Sequence, residues 1–238
     1  MASEASNKKI AAVIPAFNEA GRIEKVLDVV ASHPAFSEVI VVDDASSDRT
    51  ALIAKRYPVR VIQNKINLGK GRSIDKAIKS TDAEIIFFCD ADVRGLSARI
   101  IDEITAPVVN EEVDMFIGMR NRKIYFLRFI VPFVPLLGGE RALKKTLWNK
   151  LPEYYKERFR IETALNFYAE LGGRGYKFKV FKGLTQTIKE KKYGLYNGFK
   201  QRVGMYRDIL SAEWMLRRQN AEENMMPSEE RQIELGQD

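Results

Sequence analysis

Three acidic clusters carry the candidate chemistry of this 238-residue sequence. Asp90 and Asp92 flank Ala91, Asp43 and Asp44 are adjacent, and Asn18 precedes Glu19. Each cluster closes an apolar run: EIIFFCDAD at 84–92, VIVVDD at 39–44 and IAAVIPAFNE at 10–19. Two carboxylates spaced i, i+2 after a buried strand can hold one divalent cation, directly or through water. Oxygen donors of this kind suit Mg2+ or Mn2+. A lone Asp-x-Asp also forms solvated turns, and Asp and Asn cap helices. Three clusters that each follow a strand point more strongly to a ligand.

The elements that must position them alternate. Apolar runs at 10–14, 39–42, 59–62, 84–89 and 115–117 lack polar alternation, which predicts strands covered on both faces. Between them, Ile23, Val26, Leu27 and Val30 follow helical spacing, as do Ile74, Ala77 and Ile78. The fold class read from this order is α/β, a mostly parallel central sheet with helices on both faces. In open sheets of that kind, ligands sit outside the C-terminal strand ends, where all three clusters fall. Further on, 138–150 reads as a helix opened by Gly138-Gly139, 161–171 as another helix, and 176–180 as a strand with one solvated face. Leu195, Phe199, Val203, Tyr206 and Leu210 mark an amphipathic helix. The expected organisation is a flexible N-terminus at 1–8, one domain at 9–190, the amphipathic helix at 191–218 and a disordered acidic tail at 219–238.

Composition removes several function classes. A single cysteine, Cys89, excludes an internal disulfide framework and suits a reducing cytoplasm. His33 is the only histidine, so neither a Ser-His-Asp triad nor a closed zinc site is supported. Residues 68–72, LGKGR, lack the third glycine of a dinucleotide fingerprint and the spacing of a P-loop. No apolar run reaches the ~20 residues of a membrane-spanning helix, and 1–9 lacks the apolar stretch of a signal peptide. Charge is uneven: 15 Lys+Arg against 18 Asp+Glu in 1–118, 23 against 8 in 119–218, and 1 against 6 in 219–238. The middle block is built to meet something anionic. No helix-turn-helix, RNA-recognition or zinc-finger pattern accompanies it, so specific nucleic-acid binding is not expected.

The order VIPAFNE, VVDDASSDRT, NLGKGRSIDKAI, FFCDAD resembles glycosyltransferase family 2, which has the GT-A fold and includes polyprenyl-phosphate glycosyltransferases such as dolichyl-phosphate mannose synthase. The resemblance is close over 9–118 and looser through GMRNR, LGGERALKK and FRIETALNFYAELG to about 182. It implies transfer of one sugar from a UDP- or GDP-sugar donor, with inversion at the anomeric carbon. Pro15, Phe17, Glu19 and Asp44 would line the base and ribose pocket, and Asn18 would shape the loop. Lys70 and Ala91 would contact the donor, Arg120 would hold the donor phosphate or the acceptor, and Asp90 and Asp92 would bind Mg2+ or Mn2+ beside the diphosphate, with Asp92 also catalytic. Glu162 would be the base that activates the acceptor, with Glu140 a second candidate; either could instead be a helix-surface carboxylate paired with arginine.

The acceptor stays open between two readings. The basic block, the apolar segment 124–137 and the amphipathic helix favour a lipid-linked phosphate reached by a protein on the cytoplasmic face of a membrane. A soluble transferase using a small anionic acceptor fits the charge equally. The GGE stretch is similar to that of glucosyl-3-phosphoglycerate synthases, although those enzymes add a metal-site histidine and none follows His33. The C-terminal helix could also mediate a homodimer. Processive polymer synthesis is not expected, because the Q-x-x-R-W motif and membrane helices are missing.

Overall fold

The computed structural model describes residues 8–120, 138–157, 160–171, 173–186, 211, 214–216 and 218. The expected N-terminal segment, the apolar segment 124–137, most of the 191–218 helix and the 219–238 tail lie outside these residues. Strands β1 (Ile10–Ala16), β2 (Glu38–Asp43), β3 (Arg60–Gln63), β4 (Ile85–Phe88), β5 (Val93–Arg94), β6 (Met115–Arg120), β7 (Glu140–Lys144), β8 (Tyr176–Phe181) and β9 (Thr185–Gln186) are joined by helices. These are α1 (Ile23–Val30), α2 (Thr50–Ala54), α3 (Lys70–Lys79), α4 (Ala98–Val109), α5 (Lys145–Asn149), a 3-10 turn (Glu153–Lys156) and α6 (Ile161–Leu171).

Seven strands form one sheet in the order β3-β2-β1-β4-β7-β6-β8, and β5 and β9 form a small antiparallel pair. Strands β3, β2, β1 and β4 run parallel, β7 runs antiparallel to both its neighbours, and β8 is parallel to β6. The alternation of each strand divides the core in two. Ala12, Ile14, Val41 and Phe87 face α1, α2 and α4, while Val13, Val42, Phe88 and Ile117 face α3, α5 and α6. Both faces are thus covered, which explains why the strands read as continuous apolar runs. Each fully buried Ile, Val or Leu contributes about 1.5–3 kcal/mol.

Two expectations need correction. Residues 138–150 do not form one helix: 140–144 are strand β7, and only Lys145–Asn149 are helical. The helix-favouring Glu, Arg, Leu and Lys are overruled by pairing on both sides, Phe87 with Ala142 and Phe116 with Ala142. Strand alternation then sends Ala142 to one core and Leu143 to the other. Strand β8 does not present one solvated face; as a sheet edge bonded only to β6, it leaves Lys177, Phe178, Lys179 and Val180 all exposed.

Residues 214–216 are helical, and Leu216 is buried in the core beside α5 and α6. Tyr154 Oη lies 3.6 Å from the Met215 sulfur. This part of the expected C-terminal helix therefore docks on the domain. Leu216→Ala should cost about 3 kcal/mol and lower Tm by several degrees, whereas an unchanged melting curve would show that the segment contributes nothing to the fold.

Candidate active site

The sheet topology brings the candidate residues to one edge. Phe17–Glu19 follow β1, Asp44 follows β2, Asp90 and Asp92 follow β4, and Arg120 ends β6. Because β7 is antiparallel, its first residue, Glu140, arrives at the same edge, opposite Gly118. Lys70 opens α3 and Glu162 lies in the first turn of α6.

The first two loops hold each other. Asn18 is left-handed (φ 54°), and its Oδ1 accepts from the Ser47 N–H at 2.9 Å and hydroxyl at 3.2 Å. Asn tolerates this conformation better than most residues, which agrees with the loop-shaping role expected of it. The Asn18 N–H donates to Ser46 Oγ, Glu19 N–H to Thr50 Oγ1 and Ala20 N–H to Asp48 Oδ2. Asp48 also accepts from the Thr50 N–H; burial opposes its ionisation, but these donors hold its carboxyl below the usual range. Glu19 is buried and paired with Arg22, Phe17 is partly exposed, and Pro15 continues β1 opposite Val42. The string SSDRT gives no sign of this stapling by Ser46, Ser47, Asp48 and Thr50, because the partners lie 28–31 residues away.

Asp44 is tied to the loop that leads into α3. Its Oδ1 accepts from the Leu68 N–H and Asn64 Nδ2, and its Oδ2 from the Gly69 N–H, each at 2.8 Å. The carboxylate thereby anchors the 64–69 loop, and Gly69 (φ 85°) turns the chain into α3. Asp43 is also buried, and its Oδ1 has no hydrogen-bond partner among the described residues.

Lys70, Asp90, Arg120, Glu140 and Glu162 form one ionic chain. Lys70 Nζ lies 2.9 Å from Asp90 Oδ1 and 3.3 Å from Glu162 Oε1. Arg120 Nη2 lies 2.7 Å from Asp90 Oδ2 and 2.5 Å from Glu140 Oε1. Burial disfavours the Asp90 carboxylate, but Lys70 and Arg120 outweigh it and hold the carboxyl far below the usual range. Burial likewise acts against the Lys70 ammonium, and Asp90 and Glu162 reverse the effect and raise its pKa. Burial raises Glu140 despite Arg120. Arg141 is buried next to this chain, donating to the Gly138 carbonyl at 2.8 Å and Asn166 Oδ1 at 3.3 Å; burial lowers its pKa. Asp92 and Ala91 are buried beside Asp90. His33 instead faces Asp102, its Nε2 3.6 Å away.

Two glycines let these groups approach. A Cβ on Gly139 would lie 2.2 Å from Asp90 Oδ2 and 2.7 Å from Arg120 Nη2. A Cβ on Gly71 would lie 1.7 Å from the Lys156 carbonyl oxygen, so the start of α3 presses directly on the turn before α6. Asp75 fastens the same contact, accepting from Trp148 Nε1 at 2.9 Å and lying 3.1 Å from Lys156 Nζ. The separation of Lys70 from Glu162 thus depends on packing away from the ionic chain itself.

Among the described residues, no group of three or more His, Cys, Asp or Glu could hold a metal. The available set is the carboxylate pair Asp90 and Asp92. Hard oxygen donors of this number fit Mg2+ or Mn2+, which bind through one or two carboxylates and complete their shell with water and phosphate oxygens.

The doubly covered sheet defines an α/β protein, and its clustered acids and cations lie at the C-terminal edge, where sheets of this kind take their ligands. The chain belongs to glycosyl transferase family 2, whose family model matches residues 11–185. An uncharacterised protein of Methanocaldococcus jannaschii is 33% identical over 121 residues, 50% of this chain and 49% of that protein. Human dolichyl-phosphate beta-glucosyltransferase is 37% identical over 105 residues, 37% of this chain and 32% of that protein. The chain therefore spans half or less of the length of these curated relatives. Glucosyl-3-phosphoglycerate synthase of Mycobacterium tuberculosis, crystallised with Mn2+, UDP-glucose and phosphoglyceric acid, superposes with a TM-score of 0.68 at 20% identity, covering 87% of this chain and 80% of that one. The shared fold is of the GT-A type.

Two outcomes test the geometry. In urea unfolding, Gly71→Ala should lose about 1–3 kcal/mol through overpacking, while Gly21→Ala, whose Cβ meets nothing within 4 Å, should change stability by less than about 0.5 kcal/mol. Equal effects would contradict the close contact. The depressed Asp90 pKa adds stability above the ordinary carboxylate value, lost as pH falls through the folded value; the raised Lys70 pKa adds stability lost only as pH rises through its folded value. The stability gap between parent and Asp90→Asn should therefore be nearly constant from about pH 5 to pH 9 and shrink below about pH 4. A gap that vanishes near neutrality would refute the pairing.

Proposed function

We propose that the chain transfers one hexose from a nucleoside diphosphate sugar to an acceptor, with inversion at the anomeric carbon. The reading is carried by one observation: Asp90, Lys70 and Glu162 meet in one contact network, with Arg120 on the far side of Asp90. Leaving-group stabilisation and acceptor activation then fall within one site. Lys70 and Arg120 hold the donor diphosphate, Asp90 and Asp92 hold Mg2+ or Mn2+, and Ala91 contributes backbone contacts. Pro15, Phe17 and Glu19 line the base and ribose side, with Asp44 holding the loop that presents Lys70. The bound cation supplies charge neutralisation for the departing diphosphate.

The acceptor oxygen attacks the anomeric carbon from the face opposite the diphosphate. The bond from that carbon to the leaving oxygen breaks, and its electron pair departs with the diphosphate. For a hydroxyl acceptor, the released proton passes to Glu162. A phosphate acceptor is already ionised and needs no base, and Glu162 then serves only to position Lys70 before the donor binds.

The first reading of the acceptor is a polyprenyl phosphate. It is supported by the excess of Lys and Arg in 119–218 and by the relation to dolichyl-phosphate beta-glucosyltransferase. A small phosphorylated acceptor is the second, favoured by the fold shared with glucosyl-3-phosphoglycerate synthase. No helix among the described residues is long and apolar enough to cross a membrane.

Radiolabelled UDP- and GDP-hexoses, offered with polyprenyl phosphate and with phosphoglycerate, test both readings. Label entering the organic phase supports the lipid acceptor, and label entering a new aqueous product supports the soluble one. Asp92→Ala should lower kcat/KM by about 100-fold or more while the folded state persists. Full activity in that variant would remove Asp92 from the mechanism, and absence of transfer from every donor would oppose the reading.

A further inference from the structure

Lys70 and Arg120 both hold Asp90, but they are held differently. Arg120 is anchored on its other side by Glu140, is almost fully buried, and is hemmed in at Gly139, where a Cβ would strike it. It is a fixed cation. Lys70 stands on the first residue of α3, just after the left-handed Gly69, with 35% of its side chain exposed. The carboxylates it covers, Asp90 and Glu162, are only 14% and 18% exposed. An incoming anion therefore reaches the Lys70 side chain before it reaches either acid. A lysine suits such a position, because its compact charge rides on a flexible stem and its three donors re-aim freely.

We propose that Lys70 is a partner-switching cation that couples donor binding to exposure of the acids. In the free protein it occupies Asp90 Oδ1 and Glu162 Oε1 together. The donor's diphosphate, with more negative charge than either carboxylate, draws the ammonium away. Asp90 is then open to the divalent cation, and Glu162 to the acceptor. Before that exchange, Glu162 Oε1 accepts from the Lys70 ammonium, which opposes its taking a proton from an acceptor hydroxyl. The order of events follows: donor and metal bind cooperatively, and the acceptor site matures only after them. This inference rests on the proposed donor class and adds to it a coupling through one residue.

The test is Mn2+ binding to the full chain, followed by electron paramagnetic resonance, with and without UDP or GDP. The parent should bind Mn2+ weakly alone and more tightly with the nucleotide. Lys70→Met should bind Mn2+ alone about tenfold more tightly than the parent, and the nucleotide's effect on Mn2+ should shrink by a similar factor, within the usual range of coupling between sites. Lys70→Arg keeps a cation on Asp90 and should retain the parent's weak binding alone. Lys65→Met removes an equal charge from an exposed position of the 64–69 loop and should behave as the parent. Unchanged Mn2+ affinity and unchanged nucleotide coupling in Lys70→Met would overturn the switch, as would an equal effect from Lys65→Met or Lys70→Arg. Failure of the switch leaves nucleotide binding by the parent intact. Failure of the donor reading appears instead as no binding of either nucleotide by the parent, and removes both.

Discussion

The Asp90 carboxylate, gripped on one oxygen by Lys70 and on the other by Arg120, is the interaction around which the site is arranged. A buried carboxylate is costly unless it is paired and hydrogen-bonded. Here the pairing draws in residues from four places: the end of β4, the start of α3, the end of β6 and, through Glu140, the start of β7. Each cation needs a second acid to balance it, so Glu162 and Glu140 complete the chain at either end. Buried ion pairs of this kind seldom add net stability compared with apolar packing. Their presence at one sheet edge fits the donor-binding role proposed for them.

The rest of the fold keeps that chain in place. Asp44 surrenders its carboxylate to backbone N–H groups, and so fixes the turn from which Lys70 projects. Gly71 and Asp75 press and tie α3 against the segment preceding α6, setting the distance to Glu162. The antiparallel insertion of β7 between β4 and β6 delivers Glu140 to an edge otherwise built from the C-terminal ends of strands. Of the two cations, Arg120 is the preorganised one, and a fixed charge needs no rearrangement at the moment of reaction.

Much of this was legible in the residues. The apolar runs before Asp43 and Asp90 and the stripe from Ile23 to Val30 specify a doubly covered sheet because burial alone sets their pattern. Asp90, Lys70, Arg120 and Glu162 could be singled out, and the structure brings them into contact. What was hidden depends on contacts distant in sequence. GGERALKK has the composition of a helix, and only its neighbours β4 and β6 make it a strand. Nothing in the string shows that the N–H groups of Leu68 and Gly69 return to Asp44. Asp75 resembles any polar residue on an amphipathic helix, since Trp148 lies 73 positions away.

The account's central claim is that the paired acids and cations at the strand ends form the seat of a metal-bound nucleoside diphosphate. An anomalous difference map from crystals of the protein grown with Mn2+ and UDP or GDP tests it most directly. The account predicts a manganese peak within coordination distance of Asp92 or Asp90, about 2.0–2.2 Å as for a small hard cation, with the diphosphate lying against Lys70 and Arg120. A nucleotide bound away from this edge, or one bound here with the manganese elsewhere, would contradict it.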